Sequence, residues 1–332
     1  MKRYLVTGAA GFIGSHLCRQ LLEADPACQV HAFDDLSGGK AANLDAAREA
    51  GGARLRVVSP DVGIWHVKRD EPFSAVFHLA AVVGVRRVLA LGVRAFEQNQ
   101  RITDDVVDWC RSLVDRGHPA PRLVYTSSSE VYGDVSTQPL REDMPVVLDP
   151  PTSVRACYAY EKAAAESHLL GLSAAGDLSC VVARLFNTVG PRQNLNYGAV
   201  LSAMVSRALR NESLEVFVER DPFDLVATTT RSFIHVEDTA AALRALAERG
   251  EVGQVYNVGC GAELTMHDLA RKVKATLGSS SAVVEVEQPT DVRGCRRRVP
   301  DPSKLMGLGW RPLKRTEDAI LDLAGYLREK GA

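Results

Sequence analysis

Tyr158 and Lys162 stand four residues apart in the segment Tyr158-Ala159-Tyr160-Glu161-Lys162. On a helix that spacing projects both side chains from one face. A phenol with an ordinary pKa near ~10 is a weak base at neutral pH, but an adjacent positive charge stabilises its phenolate. The pair therefore suits removal of a proton from an alcohol, with Lys162 as the cation. Upstream, Thr126-Ser127-Ser128-Ser129-Glu130 offers hydroxyls at Ser128 and Ser129 that can hold such an alcohol beside Tyr158. Glu130 adds a carboxyl that either handles a second proton or caps a turn. Oxidation of an alcohol also requires a hydride acceptor.

The N-terminal run provides a place for one. Tyr4 to Val6 reads as a buried strand that breaks into Gly8, Gly11 and Gly14, spaced G-x-x-G-x-x-G. Gly8 permits the tight turn, Gly11 lets the backbone approach a pyrophosphate, and Gly14 lets the next helix lie close on the strand. The N–H groups that open that helix face the anion. Ile13, Leu17, Leu21 and Leu22 give the helix an apolar face. A second strand, Val30 to Phe33, ends in Asp34, where a carboxylate accepts hydrogen bonds from an adenosine ribose and repels a 2′-phosphate. NAD is therefore expected over NADP.

These residues need a scaffold, and the pattern around them supplies one. Strands are legible at 54–58, 75–79, 122–127 and 179–185, with helices at 96–116 and 158–172. Such alternation predicts an α/β fold: a doubly wound (Rossmann) parallel sheet covered on both faces. Residues 1–187 form the expected NAD-binding domain, including the Tyr158/Lys162 helix. Residues 188–332 form a smaller, mixed α/β C-terminal substrate lobe, with some elements crossing between the two. In it helices are expected at 199–210, 236–248, 266–277 and 316–330, and strands at 214–218 and 255–258.

Composition sets limits. A chain of 332 residues with a formal charge of −1 can bury a large core but offers no electrostatic reason to expect nucleic acid or a membrane surface as partner. No signal-peptide pattern and no apolar run of ~20 residues is visible. The seven cysteines are scattered without a C-x-x-C pair and read as reduced thiols of a cytoplasmic protein. Neither they nor the eight histidines have metal-ligand spacing, so no metal is expected.

Taken together, these motifs resemble the extended short-chain dehydrogenase/reductase family, specifically its sugar-nucleotide epimerases, dehydratases and decarboxylases. The resemblance covers essentially the whole chain. It rests on Thr7 to Gly14, Asp34-Asp35-Leu36, Phe77-His78-Leu79-Ala80-Ala81, Asn99, Ser128 to Gly133 and Tyr158/Lys162. It continues through Arg184 to Arg192, Thr230 to Phe233, and Tyr256 to Gly259. The resemblance implies that Phe12, Ile13, Asp35, Val62, Leu79, Ala80, Ala81 and Asn99 join the glycines, Asp34, Tyr158 and Lys162 around NAD, with Asp61 near the adenine. It further implies that Arg86, Asn187, Arg192, Arg231 and Arg298 line the site of a nucleoside-diphosphate sugar. A guanidinium suits bidentate diphosphate binding. A homodimer is also implied, with helices 96–116 and 158–172 pairing across a two-fold axis.

In such enzymes Tyr158 would remove the C4 hydroxyl proton as hydride leaves C4, and the 4-keto sugar would then have several fates. Glu130 after Ser129, Arg155-Ala156-Cys157-Tyr158 and Arg298-Val299-Pro300-Asp301 look like UDP-glucuronate decarboxylases, with Arg298 facing the sugar carboxylate. Decarboxylation of a UDP-glucuronate-like substrate is thus the leading expectation. Tyr160-Glu161-Lys162 departs from the small residues those enzymes place before the lysine, and Val82 to Arg86 looks more like a 4-epimerase. A 4-epimerase is the alternative, ahead of a 4,6-dehydratase, for which Ser129 lacks the acid. A non-catalytic NAD-binding scaffold would be marked by loss of Tyr158 or Lys162, and both are present.

Overall fold

The computed structural model describes residues 1–58, 63–150, 156–197, 199–220, 226–227, 229–287 and 295–331. The first half alternates β1 (Arg3–Thr7), α1 (Phe12–Ala24), β2 (Gln29–Phe33), α2 (Asp45–Gly51), β3 (Leu55–Val58) and β4 (Ala75–His78). It continues with α3 (Val85–Leu91), α4 (Val93–Asp115), β5 (Arg122–Ser128), α5 (Ala156–Ala174) and β6 (Cys180–Leu185). Then come β7 (Thr188–Val189), α6 (Val200–Leu209), β8 (Leu214–Arg220), β9 (Val226–Ala227), β10 (Thr230–Arg231), β11 (Ile234–His235) and α7 (Val236–Arg249). The chain closes with β12 (Val255–Val258), β13 (Leu264–Thr265), α8 (Met266–Leu277), β14 (Val283–Glu287), β15 (Arg297–Arg298), α9 (Ser303–Gly307) and α10 (Thr316–Glu329).

Seven strands pair in the order β12-β6-β5-β4-β1-β2-β3, all in parallel. The order reverses between β1 and β4, and an open sheet of this kind binds ligands at the carboxyl ends of the strands beside such a reversal. Alternation along each strand explains the two covered faces. Tyr4, Val6, Val124, Val181 and Ala183 pack with α1 and α7, whereas Leu5, Leu123, Tyr125, Cys180 and Val182 pack with α4 and α5. A separate core joins α6, α8, α10 and β8. After residue 187 the chain still returns twice to the central sheet, with α7 against α1 and β12 against β6.

The predicted elements are present, with ends shifted by a few residues. The helix expected at 96–116 runs from Val93 to Asp115, and a helix that periodicity does not reveal, α3, precedes it. Gly92, at φ +55°, divides the two, because a continuous helix excludes that conformation. The two-residue strands, β14 and the short helices α2 and α9 are not among the predicted elements; two residues are too few to show a period of two. Among the described residues no helix is long and apolar enough to cross a membrane.

Charges are buried beneath the strand ends. Arg184 and Glu166 are 4% and 3% exposed, and Arg184 Nη2 donates to Glu166 Oε2 at 2.7 Å while Nε donates to Oε1 at 3.0 Å. The Ser127 hydroxyl donates to the same carboxylate, and the Arg184 guanidinium lies over the Tyr132 ring. Removing one partner of such a pair strands the other charge in the interior. Glu166→Gln should therefore lower unfolding stability by about 3–5 kcal/mol, checked by chemical denaturation, whereas an unchanged midpoint would mean that water reaches Arg184.

Candidate active site

β1 delivers the glycine loop to the end of the sheet, and the packing leaves no room for side chains there. A Cβ on Gly14 would lie 2.2 Å from the Gly8 carbonyl oxygen, and one on Gly8, at φ +70°, would lie 2.8 Å from the Ala80 nitrogen. α1 begins at Phe12 with no side-chain cap and no acidic residue in its first turn. Its opening N–H groups at Phe12, Ile13 and Gly14 are therefore available to an anion, which is the requirement of a dinucleotide pyrophosphate. Asp34 stands at the end of β2, where Oδ2 accepts from Ala10 N at 2.9 Å and Oδ1 from Leu36 N at 2.8 Å. Burial raises its pKa, and those N–H groups partly offset the rise. Asp35 accepts from Ser37 N at 2.9 Å. Leu79, Ala80 and Ala81 follow β4 on the other side of the loop, tied back by Ala80 N donating to Thr7 Oγ1 at 3.2 Å. The loop and its flanks thus fit NAD. Asp61, Val62 and Arg155 lie outside the described residues.

Next to this loop, α5 turns an unusually polar face inward. Tyr158, Glu161, Lys162, Ala165, Glu166 and Leu169 follow the i, i+3, i+4, i+7 spacing of one helix face, and all from Glu161 onward are buried. Lys162, 3% exposed, donates from Nζ to the Tyr125 hydroxyl at 3.0 Å and lies 4.8 Å from the centre of that ring. Its Nζ is 5.8 Å from the centre of the Tyr158 ring and 3.7 Å from Glu161 Oε2. Burial lowers the Lys162 pKa, with Glu161 pulling the other way. Burial raises the pKa of the Tyr158 phenol, Glu161 and Glu130 raise it further, and the hydrogen bond from the Ser128 hydroxyl opposes them. Together these surroundings favour the protonated phenol. His78, buried between Thr7 (2.8 Å) and Thr103 (3.2 Å), has its pKa lowered to about 3 by burial and by Lys162, and so adds no charge.

The hydroxyl beside Tyr158 is that of Ser128, which also accepts from Glu130 N at 3.2 Å and starts the turn after β5. Ser129 is buried at 4% exposure. Glu130 forms a two-point ion pair with Arg298 of β15: Nη1 reaches Oε1, and Nη2 lies 3.3 Å from Oε2. Arg298 is 6% exposed, and its Nε is buried without a hydrogen-bond partner. Arg231 of β10 pairs in register with Arg298 and donates to the Cys295 carbonyl at 2.6 Å.

Other expected residues are dispersed. Arg192, at φ +70°, donates to the Asn43 carbonyl at 2.7 Å and to His16 Nε2 at 3.1 Å, which ties it to α1 and to the segment after β2. Asn187 donates to the Ser232 carbonyl at 2.8 Å. Arg86 is exposed on α3, and its neighbour Arg87 is the one that reaches Ser37, at 3.2 Å. Asn99 is buried, accepting from Val82 N at 2.6 Å and donating to Glu161 Oε2 at 3.3 Å. Sequence reasoning missed Tyr125 and Glu161 as parts of this constellation. The available signal was a carboxylate directly before Lys162 on the face that Tyr158 defines.

The chain is also similar to known proteins. A sequence profile described as the NAD-dependent epimerase/dehydratase family matches residues 4–259. UDP-glucuronic acid decarboxylase 3 of Arabidopsis thaliana is 32% identical over 323 residues, 96% of this chain and 86% of that protein. Among solved structures, a UDP-N-acetylglucosamine 4-epimerase from Methanobrevibacter ruminantium, in complex with UDP-N-acetylmuramic acid, superposes with a TM-score of 0.83 at 26% identity, covering 99% of each chain. A UDP-glucose 4-epimerase from Thermus thermophilus, in complex with NAD, superposes at 0.76 with 26% identity over 98% of this chain and 99% of that one. With a profile spanning most of its length and a relative at this identity, the chain belongs to the NAD-dependent epimerase/dehydratase family.

Proposed function

We propose that the chain decarboxylates a nucleoside-diphosphate sugar of the UDP-glucuronate type through a 4-keto intermediate. The observation that carries this reading is the Glu130–Arg298 pair beside Tyr158. It combines a buried guanidinium, matched to a carboxylate, with a carboxyl that can move a proton. The 32% identity to a UDP-glucuronic acid decarboxylase supports the same choice.

The glycines, Asp34, Tyr158 and Lys162 would hold NAD, whose chemistry when bound is reversible hydride acceptance from C4. Tyr158 takes the C4 hydroxyl proton, and Ser128 orients that hydroxyl. Lys162 favours the phenolate by its charge and so lowers the pH at which Tyr158 acts. With C4 a ketone, the C5 carboxylate is a β-keto acid. Arg298 orients it, and loss of CO2 leaves the C–C electron pair delocalised onto the C4 oxygen. Tyr158, now protonated, donates a hydrogen bond to that oxygen. As Arg298 turns from Glu130 to the substrate carboxylate, the partly exposed Glu130 takes up a proton from solvent and passes it to C5. Tyr158 returns its own proton to the C4 oxygen when C4 is reduced again. Arg231 and Asn187 are assigned to the nucleotide diphosphate. A 4-epimerase is the second reading, favoured by the fit to 4-epimerases over nearly the whole chain.

A homodimer belongs to the same proposal, built from α4 and α5, which pack on each other along one flank of the sheet. Seven unpaired cysteines support a cytoplasmic setting. Sedimentation at micromolar concentration should give a dimer, and a monomer alone would remove this part.

The decisive assay incubates the NAD-loaded protein with a panel of UDP-, dTDP-, GDP- and ADP-sugars and resolves products by mass and NMR. A nucleotide pentose from a uronate is expected. A six-carbon 4-epimer would transfer the reading to the epimerase, and loss of water would transfer it to the dehydratase. Asp34→Ala should weaken NAD by roughly 1.5–3 kcal/mol, the worth of hydrogen bonds to a charged group; a preference for NADP in the parent protein would contradict its assignment. Tyr158→Phe should keep nucleotide binding and lose about 10²- to 10⁴-fold in turnover. The same step fixes the pH dependence: a phenol raised by burial must lose its proton, so turnover falls as pH drops through the apparent pKa of the Tyr158/Lys162 pair. Glu130→Gln should still form NADH yet release product slowly, whereas parental rates would reduce Glu130 to a cap.

A further inference from the structure

Glu161 is fully buried, yet the steps above make no use of it. Its carboxylate joins three elements. Lys162 Nζ lies 3.7 Å from Oε2, the Asn99 amide of α4 donates to Oε2 at 3.3 Å, and the Tyr125 hydroxyl of β5 donates to Oε1 at 3.4 Å. Lys162 donates in turn to the same Tyr125 hydroxyl, closing a ring of Glu161, Tyr125 and Lys162 behind Tyr158. The two other carboxylates near the site each have their own arginine, Glu166 with Arg184 and Glu130 with Arg298. Among the described residues the one cation in ion-pair range of Glu161 is Lys162.

We infer that Glu161 is a positioning residue that holds the Lys162 ammonium beneath Tyr158 and sets the pH at which the Tyr158/Lys162 pair gives up its proton. The argument is one of net charge. With Glu161 ionised, it and the pair together start from neutrality and must end with a net negative charge in a desolvated pocket. Without it, the pair starts with one positive charge and ends neutral. Loss of the proton is therefore easier without Glu161, whichever member releases it, since two groups this close titrate as one unit. In return, Glu161 biases the remaining proton toward Lys162 and leaves the charge on the tyrosine oxygen.

The other groups facing the pair do not reverse this sign. Ser128 and Tyr125 of β5 are neutral, as is His78 of β4. Glu130 and Glu166 are balanced by Arg298 and Arg184. The inference rests on the reading of Tyr158 as the base, and the test separates the two.

Rate–pH profiles would be compared for the parent protein, Glu161→Gln and Glu161→Ser, each loaded with NAD and checked for parental secondary structure. For both variants the acid limb of kcat/KM should move to lower pH by on the order of one unit. The plateau should also fall, because a share of the pair now holds its proton on Tyr158, while KM stays within about twofold. A lower plateau with an unmoved limb would reduce Glu161 to packing and overturn the inference. Tyrosine labelled with carbon-13 at Cζ, with the Tyr158 signal assigned by Tyr158→Phe, reads the same midpoint without substrate. A midpoint unmoved between parent and variants, or a phenol that stays protonated in both up to the limit of the fold, also overturns it. In the parent protein, carbon-13 at the Glu161 carboxyl must report the ionised form at neutral pH. A protonated carboxyl there is sufficient refutation, even if neither variant folds.

Discussion

A lysine side chain buried with its amine in the interior is the constraint on which the site depends. Lys162 is 3% exposed, and an ion of that size left alone in the interior would give up its proton. Burial lowers its pKa, and the Glu161 carboxylate opposes that shift, with the Tyr125 hydroxyl and ring as its other neighbours. The inner face of α5 is accordingly built as a helix of paired charges rather than an apolar stripe. Where Leu169 and Ala165 meet the sheet as ordinary core, Glu166 takes Arg184 from β6, and one turn earlier Glu161 takes Lys162. Such pairs add little net stability, but each fixes the rotation of the helix and hence where Tyr158 points.

That helix can act on a substrate only because the sheet brings the glycine loop to the same place. β1 and β4 flank the reversal in strand order, and Leu79 and Ala80 approach Gly8 so closely that a side chain at Gly8 would collide with their backbone. β5, next to β4, ends in Ser128 and carries Tyr125 on the face toward α5. The C-terminal part of the chain contributes Arg298 through a two-residue strand that pairs with β10, and Arg298 reaches Glu130 in the turn that follows β5. Three separate parts of the chain thus converge on the space around the Tyr158 hydroxyl.

The sequence made much of this legible. Glycine spacing, Asp34 and the Tyr158/Lys162 interval report local geometry that few other structures require, and βαβ alternation reports the parallel sheet. Two kinds of information were hidden. Short strands such as β10 and β15 are defined by their partners, so the pairing that joins Arg298 to Glu130 carries no periodic signal. The partners of the motif arginines were equally hidden: Arg192 donates to His16 and Asn43, and Arg86 is exposed on α3 while its neighbour Arg87 reaches Ser37. Side-chain direction in a loop follows from backbone conformation, here the positive φ at Arg192, which a motif does not encode. Glu161 stood in plain view within the Tyr158–Lys162 interval. In a motif it is a departure from a pattern; in the fold it is the carboxylate nearest the lysine.

The central claim is that C4 is oxidised only transiently, under Tyr158, on the way to loss of the C5 carboxylate. UDP-glucuronate carrying deuterium at C4 and carbon-13 in its carboxyl tests both halves in one reaction. The account predicts labelled CO2 in equal amount to a nucleotide pentose that retains deuterium at C4, with a slowed rate where hydride transfer limits. A six-carbon product that keeps its labelled carboxyl, or a pentose whose C4 deuterium has been lost to solvent, would contradict it.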